Sequence, residues 1–206
     1  MYLSKTPRIV QSLLPSYTWH IPTTEKVIFL TFDDGPIPEA TPWVLDTLRT
    51  YHAKATFFCV GDNVRKHPNI FQQILTEGHA VGNHTFNHLK GWGTNNSDYL
   101  ENVELCAEMV SSSLFRPPYG KLKPSQMRQL KSQYKIVMWD VLSGDFDPGI
   151  SPEQCLQNVL DNIQPGSIVL FHDSLKAETR MRFALPRVLG QLSEAGWKFQ
   201  KLDTSE

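Results

Sequence analysis

Short apolar runs of strand length alternate along this chain with longer segments that carry apolar residues at helical spacing. This alternation is typical of parallel strands joined by crossover helices, because each strand then needs helices to cover it. Seven runs predict strands, at residues 27–31, 56–60, 79–82, 114–116, 135–141, 167–171 and 197–201. Six segments predict helices, at residues 41–51, 63–77 (with a break at Pro68), 97–110, 124–132, 151–162 and 179–195. The pattern predicts an α/β fold, either an open doubly wound sheet or a closed barrel.

The pattern leaves both architectures open, and glycine spacing bears on the choice. The glycine-rich fingerprint of a dinucleotide site follows none of the predicted strands, which weakens the case for an open dinucleotide-binding sheet. No linker or low-complexity tract divides the 206 residues, so they fit one compact domain. We assign residues 1–26 to an N-terminal extension and residues 27–206 to the main domain.

Charge limits the partners that we expect. Twenty basic residues stand against 21 acidic ones, and no run of five like charges occurs. The basic surface that attracts nucleic acids and anionic membranes is therefore missing. The first twenty residues have only a short, interrupted apolar centre, which fits neither a secretion signal nor a transmembrane segment. We expect a cytoplasmic protein with no nucleic-acid partner and no membrane segment, and the sequence indicates no oligomeric state.

Reactive side chains follow directly after five of the predicted strands. They are Asp33 and Asp34, His84 and His88, Arg116, Asp145, and His172. In a parallel sheet or barrel the carboxyl ends of the strands meet at one rim, where ligands and catalytic groups collect. We therefore expect these residues to share one site.

A metal site is predicted from three of these residues. His84 and His88 are four residues apart, so their imidazoles can face one direction on a helical turn, and Asp34 can join them from a neighbouring strand end. Three such ligands leave coordination positions open to water, as in catalytic sites. We expect one divalent ion, zinc in the first place, with cobalt or another first-row ion as a substitute. The alternative is that both histidines only hydrogen-bond a loop.

The other rim residues each have a functional and a structural interpretation. Asp33 and Asp34 point apart at a strand end, so one can bind metal while the other acts as a base, but Asp-Gly-Pro is also strong turn chemistry. Two prolines after Arg116 stiffen its loop, which suits either a site wall or a simple kinked loop. His172 can be a catalyst or a packing histidine, and Asp145 can be a turn residue.

In order along the chain, five motifs resemble those of the polysaccharide deacetylase family, the NodB-homology carbohydrate esterases. They are Thr-Phe-Asp-Asp-Gly at residues 31–35, His-Thr-Phe-Asn-His at 84–88, Arg-Pro-Pro-Tyr-Gly at 116–120, Asp-Phe at 145–146 and Leu-Phe-His at 170–172. The resemblance covers about residues 25–202. It implies a distorted (β/α) barrel, similar to a TIM barrel, with about seven parallel strands. It also implies an enzyme that removes N-acetyl groups from amino-sugar glycans of the chitin-oligosaccharide or peptidoglycan type.

The resemblance further implies a role for each site residue. The metal ligands are Asp34, His84 and His88. Asp33 is the general base, which Arg116 keeps ionised, and His172 is the general acid, which Asp145 tunes. The backbone N–H of Tyr119 is an oxyanion donor, and Leu170 and Phe146 line the pocket for the acetyl methyl group. Two positions depart from the family pattern, because Leu142 stands where a further Asp is usual and Phe146 where Trp is usual.

Trp92 is a further candidate for substrate binding. It stands between Gly91 and Gly93, just after the paired histidines, so its indole can stack on a pyranose ring or form a hydrophobic lid over the barrel.

Two other functions compete with N-deacetylation. One is a carbohydrate-binding relative that has lost turnover, against which the intact Asp33 and His172 argue. The other is a hydrolase of a different amide or ester that uses the same residues.

Overall fold

The computed structural model describes residues 3–202. Its helices are α1 (Arg8–Leu13), α2 (Thr41–Thr50), α3 (Gly61–Lys66), α4 (Pro68–Thr76), α5 (Asn96–Ala107), α6 (Pro124–Leu130), α7 (Pro152–Leu160) and α8 (Glu178–Glu194). Its strands are β1 (Val27–Asp33), β2 (Ala55–Cys59), β3 (Ala80–Asn83), β4 (Leu114–Phe115), β5 (Lys135–Ile136), β6 (Val141–Leu142), β7 (Ile168–His172) and β8 (Lys198–Phe199). Short 3₁₀ turns occupy Gly91–Gly93 and Pro118–Gly120.

The strands form one parallel sheet in the order β5-β4-β3-β2-β1-β7-β6, and β8 pairs with β1 outside this path. Strands β5 and β6 lie at opposite edges, although only residues 137–140 separate them. A flat seven-stranded sheet would hold its edges about 29 Å apart, whereas five residue steps reach about 18 Å at most. The sheet therefore curls, and the predicted distorted barrel is confirmed.

The N-terminal segment packs along the seam between β5 and β6. Thr18 bridges Val137, and Lys5 bridges Val141. Helix α1 has no buried residue. Within residues 3–202, no helix is long and apolar enough to cross a membrane. The predicted division at residue 26 stays a prediction.

One predicted strand, residues 135–141, is wrong as a single element. It splits into β5 and β6, because the backbone N–H of Val137 still bonds to β4 at Phe115 while that of Asp140 bonds to β7 at Ile168. The chain thus leaves one edge of the barrel and joins the other within a few residues. The break at Pro68 is confirmed, since α3 ends at Lys66 and α4 begins at Pro68.

Strand β1 is buried along its whole length and directs residues to both faces of the barrel wall. Ile28, Leu30 and Phe32 belong to the core between sheet and helices. Val27 and Phe29 belong to a second core, with residues such as Phe58, Val137 and Ile168 from other strands. Because side chains alternate along a strand, Thr31 and Asp33 continue this second row towards the carboxyl ends of the strands. The strand thereby delivers a carboxylate to the inside of the rim.

Candidate active site

A cavity of about 500 Å³ opens at the carboxyl ends of the strands. Its lining residues come from β1, β6 and β7 and from the segments that follow β1, β3, β4, β5, β6 and β7. They are Asp33, Asp34, His84, His88, Tyr119, Lys121, Trp139, Leu142, Phe146, Leu170, His172, Ser174 and Lys176. The rim that the sequence predicts is therefore one continuous site.

Asp33 is buried at the cavity floor and is held by the fully buried Arg116. The Arg116 Nη1 donates to Asp33 Oδ1 over 2.7 Å and to Thr31 Oγ1 over 2.8 Å. Its other nitrogens donate to the carbonyl oxygens of Val137 and Met138. With so many partners the guanidinium has little freedom, and it offsets the charge of the carboxylate.

Three potential metal ligands converge beside this pair. One donor atom from each of Asp34, His84 and His88 can be chosen so that all lie within 4.8 Å of one another. Asp34 Oδ1 is 3.2 Å from His88 Nε2 and 3.8 Å from His84 Nε2. The predicted ligands thus meet in space.

His84 and His88 lie on a loop, and the helical turn predicted for them is wrong. His84 follows β3 directly, whereas Thr85 and His88 have φ of 62° and 55°, in the left-handed region. The side chain of Asn83 accepts the N–H of Thr85, whose Oγ1 in turn accepts the N–H of Leu89. These local bonds compete with a helix and fold the loop back on itself.

The hydrogen bond of His84 orients its ring for ligation. Its Nδ1 lies 2.8 Å from the carbonyl oxygen of Arg116, so Nδ1 carries the proton and Nε2 presents a lone pair to the cavity. Burial, against the pull of the nearby aspartates, lowers the pKa of His84 to about 4. The imidazole is therefore neutral at physiological pH, as a metal ligand must be.

The donor set fits a divalent ion. Asp34 Oδ1 is buried and accepts no hydrogen bond, while the Nε2 atoms of both histidines face it. Burial raises the pKa of Asp34, but the contact with His88 and the positive charge of His172 outweigh burial and hold that pKa well below its usual range. An ionised carboxylate that lacks a proton donor, beside two imidazole nitrogens, is a donor set typical of zinc and related first-row ions.

His172 and Asp145 form a second pair across the cavity. His172 Nδ1 lies 2.8 Å from Asp145 Oδ1, and the backbone N–H of His172 donates to Asp145 Oδ2 over 2.7 Å. Burial lowers the pKa of His172, but the charge and hydrogen bond of Asp145 and the charges of the cavity aspartates outweigh burial and raise it to about 9. His172 is thus an imidazolium at neutral pH, with its Nε2 side available to the cavity.

Apolar side chains flank the polar floor. Leu170 and Leu142 are buried in the wall, and Phe146 packs its ring edge-on against His172 at 5.2 Å between centroids. Tyr119 has φ of 60° at the 3₁₀ turn, and its exposed ring lies 4.7 Å from that of His88, measured between ring centroids. Leu142, at the position where the family usually has Asp, makes this part of the wall apolar.

Trp92 lies outside the cavity. Among the described residues, every other predicted site residue either lines the cavity or hydrogen-bonds to a residue that does. Its ring is 61% exposed, and its Nε1 donates to the carbonyl oxygen of Leu122. Lys121, which does line the cavity, holds its Nζ 5.2 Å from the Trp92 ring centroid. Trp92 therefore borders the site from outside.

Several residues at the site are not predicted by the sequence motifs. Trp139, Lys121, Ser174 and Lys176 line the cavity but belong to no recognised motif. Asp173 is fully buried beside the Asp-Asp-Gly segment. Burial raises its pKa to about 8, although the two hydrogen bonds that it accepts lower that pKa. Its position directly after His172 was the only signal available for it.

Comparison with known proteins identifies the class. The family model described as polysaccharide deacetylase matches residues 20–139, which is more than half of the chain. A peptidoglycan-N-acetylglucosamine deacetylase from Bacillus cereus is 39% identical over 193 residues, with 88% of this chain and 89% of the relative covered. A chitooligosaccharide deacetylase from Azorhizobium caulinodans is 36% identical over 162 residues, with 74% and 76% covered.

Solved structures agree with these relatives. The Bc1960 peptidoglycan N-acetylglucosamine deacetylase superposes with a TM-score of 0.86 at 34% identity and covers 96% of this chain and 95% of its own. A pseudoenzyme of the same carbohydrate esterase family from Bacillus anthracis has a TM-score of 0.76 at 25% identity, with 89% and 66% covered. The chain belongs to the polysaccharide deacetylase family, as the motifs predict. Its enzyme class is accordingly that of a polysaccharide N-deacetylase, a hydrolase.

Proposed function

We propose that this chain is a divalent-metal-dependent enzyme that removes N-acetyl groups from amino-sugar glycans of the peptidoglycan or chitin-oligosaccharide type. One observation carries the proposal: a buried carboxylate, a set of three metal ligands and an imidazolium surround a single cavity. The names of the two relatives, a peptidoglycan and a chitooligosaccharide deacetylase, support the substrate class.

Asp34, His84 and His88 would hold the ion, zinc in the first place and cobalt or another first-row ion as a substitute. When bound, such an ion supplies Lewis-acid polarisation of a carbonyl and lowers the pKa of a coordinated water. The neutral state of His84 and the lone-pair orientation of its Nε2 prepare the chain for this role.

Asp33 acts as the general base. Its Oδ1 is engaged by Arg116, while its Oδ2 is turned towards His84 Nε2, at 3.7 Å, and hence towards the metal ligands. Oδ2 can therefore take a proton from a water that attacks the acetamide carbonyl. Because Arg116 is itself fixed by Thr31 and two backbone carbonyls, the base is held in place before substrate arrives.

His172 acts as the general acid. The carbon–nitrogen bond breaks only if the departing nitrogen gains a proton, and His172 carries one at neutral pH because of Asp145. Its transfer releases a free amine on the sugar and acetate. Arg180 donates through Nε to the backbone carbonyl of Asp145 and so anchors that residue.

The remaining predicted residues complete the pocket. The backbone N–H of Tyr119 stabilises the oxyanion that develops on the carbonyl oxygen. Leu170 and Phe146, with Leu142 beside them, form the apolar wall that receives the acetyl methyl group. Trp92 offers an aromatic face outside the cavity for a neighbouring sugar.

Release of acetate tests the proposal. The purified protein is assayed on chitotetraose and on peptidoglycan, after chelation and after addition of zinc or cobalt, with Asp33→Asn as the inactive variant and Asp161→Asn, at an exposed position, as the control. We expect turnover that chelation abolishes and metal restores. Metal binding and glycan binding without acetate release from either glycan would favour a silent carbohydrate-binding relative, and release from small amides alone would favour a different hydrolase.

A further inference from the structure

Two lysines give the cavity a cationic rim. Lys121 follows the 3₁₀ turn after β4, and Lys176 follows β7, so they flank the central strand β1 on either side. Among residues 3–202, the acidic side chains that line the cavity are Asp33 and Asp34, both already engaged in the proposed reaction. Beyond them the rim therefore presents positive charge.

Each lysine is associated with an aromatic ring of the site. Lys121 Nζ lies 5.2 Å from the ring centroid of Trp92, and Lys176 Nζ lies 5.7 Å from that of Phe146. These cation–π contacts hold both ammonium groups near surfaces on which sugars can stack. A glycan lying across the cavity would meet one lysine on each side of the sugar that loses its acetyl group.

We infer that Lys121 and Lys176 select glycans in which both neighbours of the reacting sugar carry carboxylates. This inference rests on the proposed function and names the chemical feature by which the enzyme separates its two candidate substrates. In peptidoglycan, N-acetylglucosamine alternates with N-acetylmuramic acid, so each N-acetylglucosamine has a carboxylate-bearing neighbour on both sides. In chitin every neighbour is neutral.

Three substrates show whether the lysines bind carboxylates of the lactyl groups or carboxylates of the attached peptides. Chitotetraose is neutral, peptide-free glycan strands carry the lactyl carboxylates, and intact strands carry carboxylates on the attached peptides. For wild type, we expect kcat/KM on the charged strands to fall as salt is raised, because screening weakens exposed charge pairs, and kcat/KM on chitotetraose to stay constant.

The variants Lys121→Gln and Lys176→Gln should each lower kcat/KM on the charged strands about two- to fivefold, as expected for exposed ion pairs. The double variant should lower it about tenfold, and none should change kcat/KM on chitotetraose. Lys135→Gln, at the start of β5 and at the opposite end of the barrel, is the matched control. An effect confined to intact strands would assign the carboxylates to the peptide.

Equal losses on neutral and charged glycans, or no loss on charged strands, would overturn the inference. Absence of acetate release from all three substrates by wild type would instead refute the proposed function, so the two failures are distinct.

A second inference concerns Asp173, a fully buried carboxylate with no part in the proposed proton transfers. The backbone N–H of Gly35 donates to its Oδ1 over 3.0 Å, and Thr41 Oγ1 donates to its Oδ2 over 2.6 Å. A Cβ on Gly35 would lie 1.9 Å from Asp173 Oδ2, so only glycine allows this approach. Asp173 is thus bound to the residue that follows the ligand Asp34.

The backbone at Asp34 needs such support, because its φ of 88° lies in a region that residues with a side chain rarely adopt. Asn63 Nδ2 donates to the carbonyl oxygen of Asp34, and Asp173 fixes the next peptide. We infer that Asp173 is a positioning residue that holds Asp34 in its ligating orientation.

Metal affinity tests this role without any assay of turnover. Asp173→Asn should raise the dissociation constant for zinc or cobalt about ten- to a hundredfold, as loss of an outer hydrogen bond to a ligand typically does. Gly35→Ala should do the same, because its methyl group would displace the Asp173 side chain, while Asp161→Asn should leave affinity unchanged. Saturating metal should restore much of kcat. A variant that loses thermal stability but keeps wild-type metal affinity would contradict the inference, and a wild type that binds no metal would contradict the proposed function.

Discussion

His84 and His172 face the same cavity from two sides of the barrel, yet their environments drive them to opposite charge states. In each case Nδ1 has a partner at 2.8 Å. For His84 this partner is the backbone carbonyl of Arg116, and burial lowers its pKa to about 4. For His172 the partner is the carboxylate of Asp145, and the pKa rises to about 9 despite burial. The charge of the Nδ1 partner thus decides which imidazole can bind metal and which can donate a proton.

The largest effect is expected from His84→Ala, on the metal side of this comparison. Removing one of the three proposed ligands should reduce bound metal from about one equivalent to nearly none and abolish acetate release. Elemental analysis of the purified variant measures this directly. Full metal content in the variant would show that His84 is not a ligand.

On the proton-transfer side, Asp33→Asn and His172→Ala should each lower kcat/KM about a hundredfold or more, the usual range for positioned proton transfer, and keep the metal. Metal content therefore separates the two sides where activity alone cannot. Loss of metal from Asp33→Asn, or wild-type kcat in His172→Ala, would contradict the proposal that these residues transfer protons and do not bind the metal.

Stability of the metal-free protein should depend on pH at both ends, for opposite reasons. His172 keeps its proton to about pH 9 when folded but releases it near 6.5 when unfolded, so its contribution is present below pH 6.5 and lost as pH rises to 9. His84 resists protonation down to about pH 4, so its contribution is present above pH 6.5 and lost as pH falls towards 4. Each contribution is of the order of 3 kcal/mol.

Urea unfolding of chelated protein across this pH range provides the measurement. His172→Ala should reduce the alkaline loss of stability to the part that the raised pKa of Asp173 causes below about pH 8, and leave the acidic loss. His84→Ala should remove the acidic loss and leave the alkaline one. A wild-type free energy of unfolding that stays flat between pH 6.5 and 9 would contradict the charge assigned to His172.

Asp145→Asn should bring the two histidines closer in behaviour. Without the carboxylate, the pKa of His172 falls, so the alkaline limb of the kcat/KM profile should move to lower pH. At pH 8 the loss should be roughly tenfold for each unit by which that pKa falls below 8, with metal content unchanged. If the alkaline limb does not move, it reports the titration of a group other than His172.

The smallest effect is expected at Trp92, outside the cavity. Trp92→Ala should raise KM for oligosaccharides about threefold, because one stacking surface is lost, and leave kcat and the melting temperature nearly unchanged. A lower melting temperature with unchanged KM would favour the hydrophobic lid.

Much of the fold was predictable because strand and helix periodicities are local properties. The runs that became β1, β2, β3 and β7 matched to within about one or two residues at each end, since each is a continuous apolar stretch bounded by polar or turn residues. The single strand predicted at residues 135–141 is wrong because its apolar pattern continues through the point where hydrogen bonding passes from β4 to β7. That change depends on the curl of the whole sheet.

An α/β fold, a rim of reactive residues after the strands and, through ordered motifs, the polysaccharide deacetylase family can all be predicted from the amino-acid sequence. Tertiary structure alone decided which partners these residues meet. Arg116 reaches Asp33 across 83 positions, and His172 reaches Asp145 across 27. Three other features likewise depend on strands that are adjacent in space and distant in sequence. They are the loop from His84 to His88 with its positive φ angles, the support of Asp34 by Asp173, and the lysines at the rim. Charge states follow from such neighbours, because desolvation and Coulomb interactions depend on distance in space and on burial.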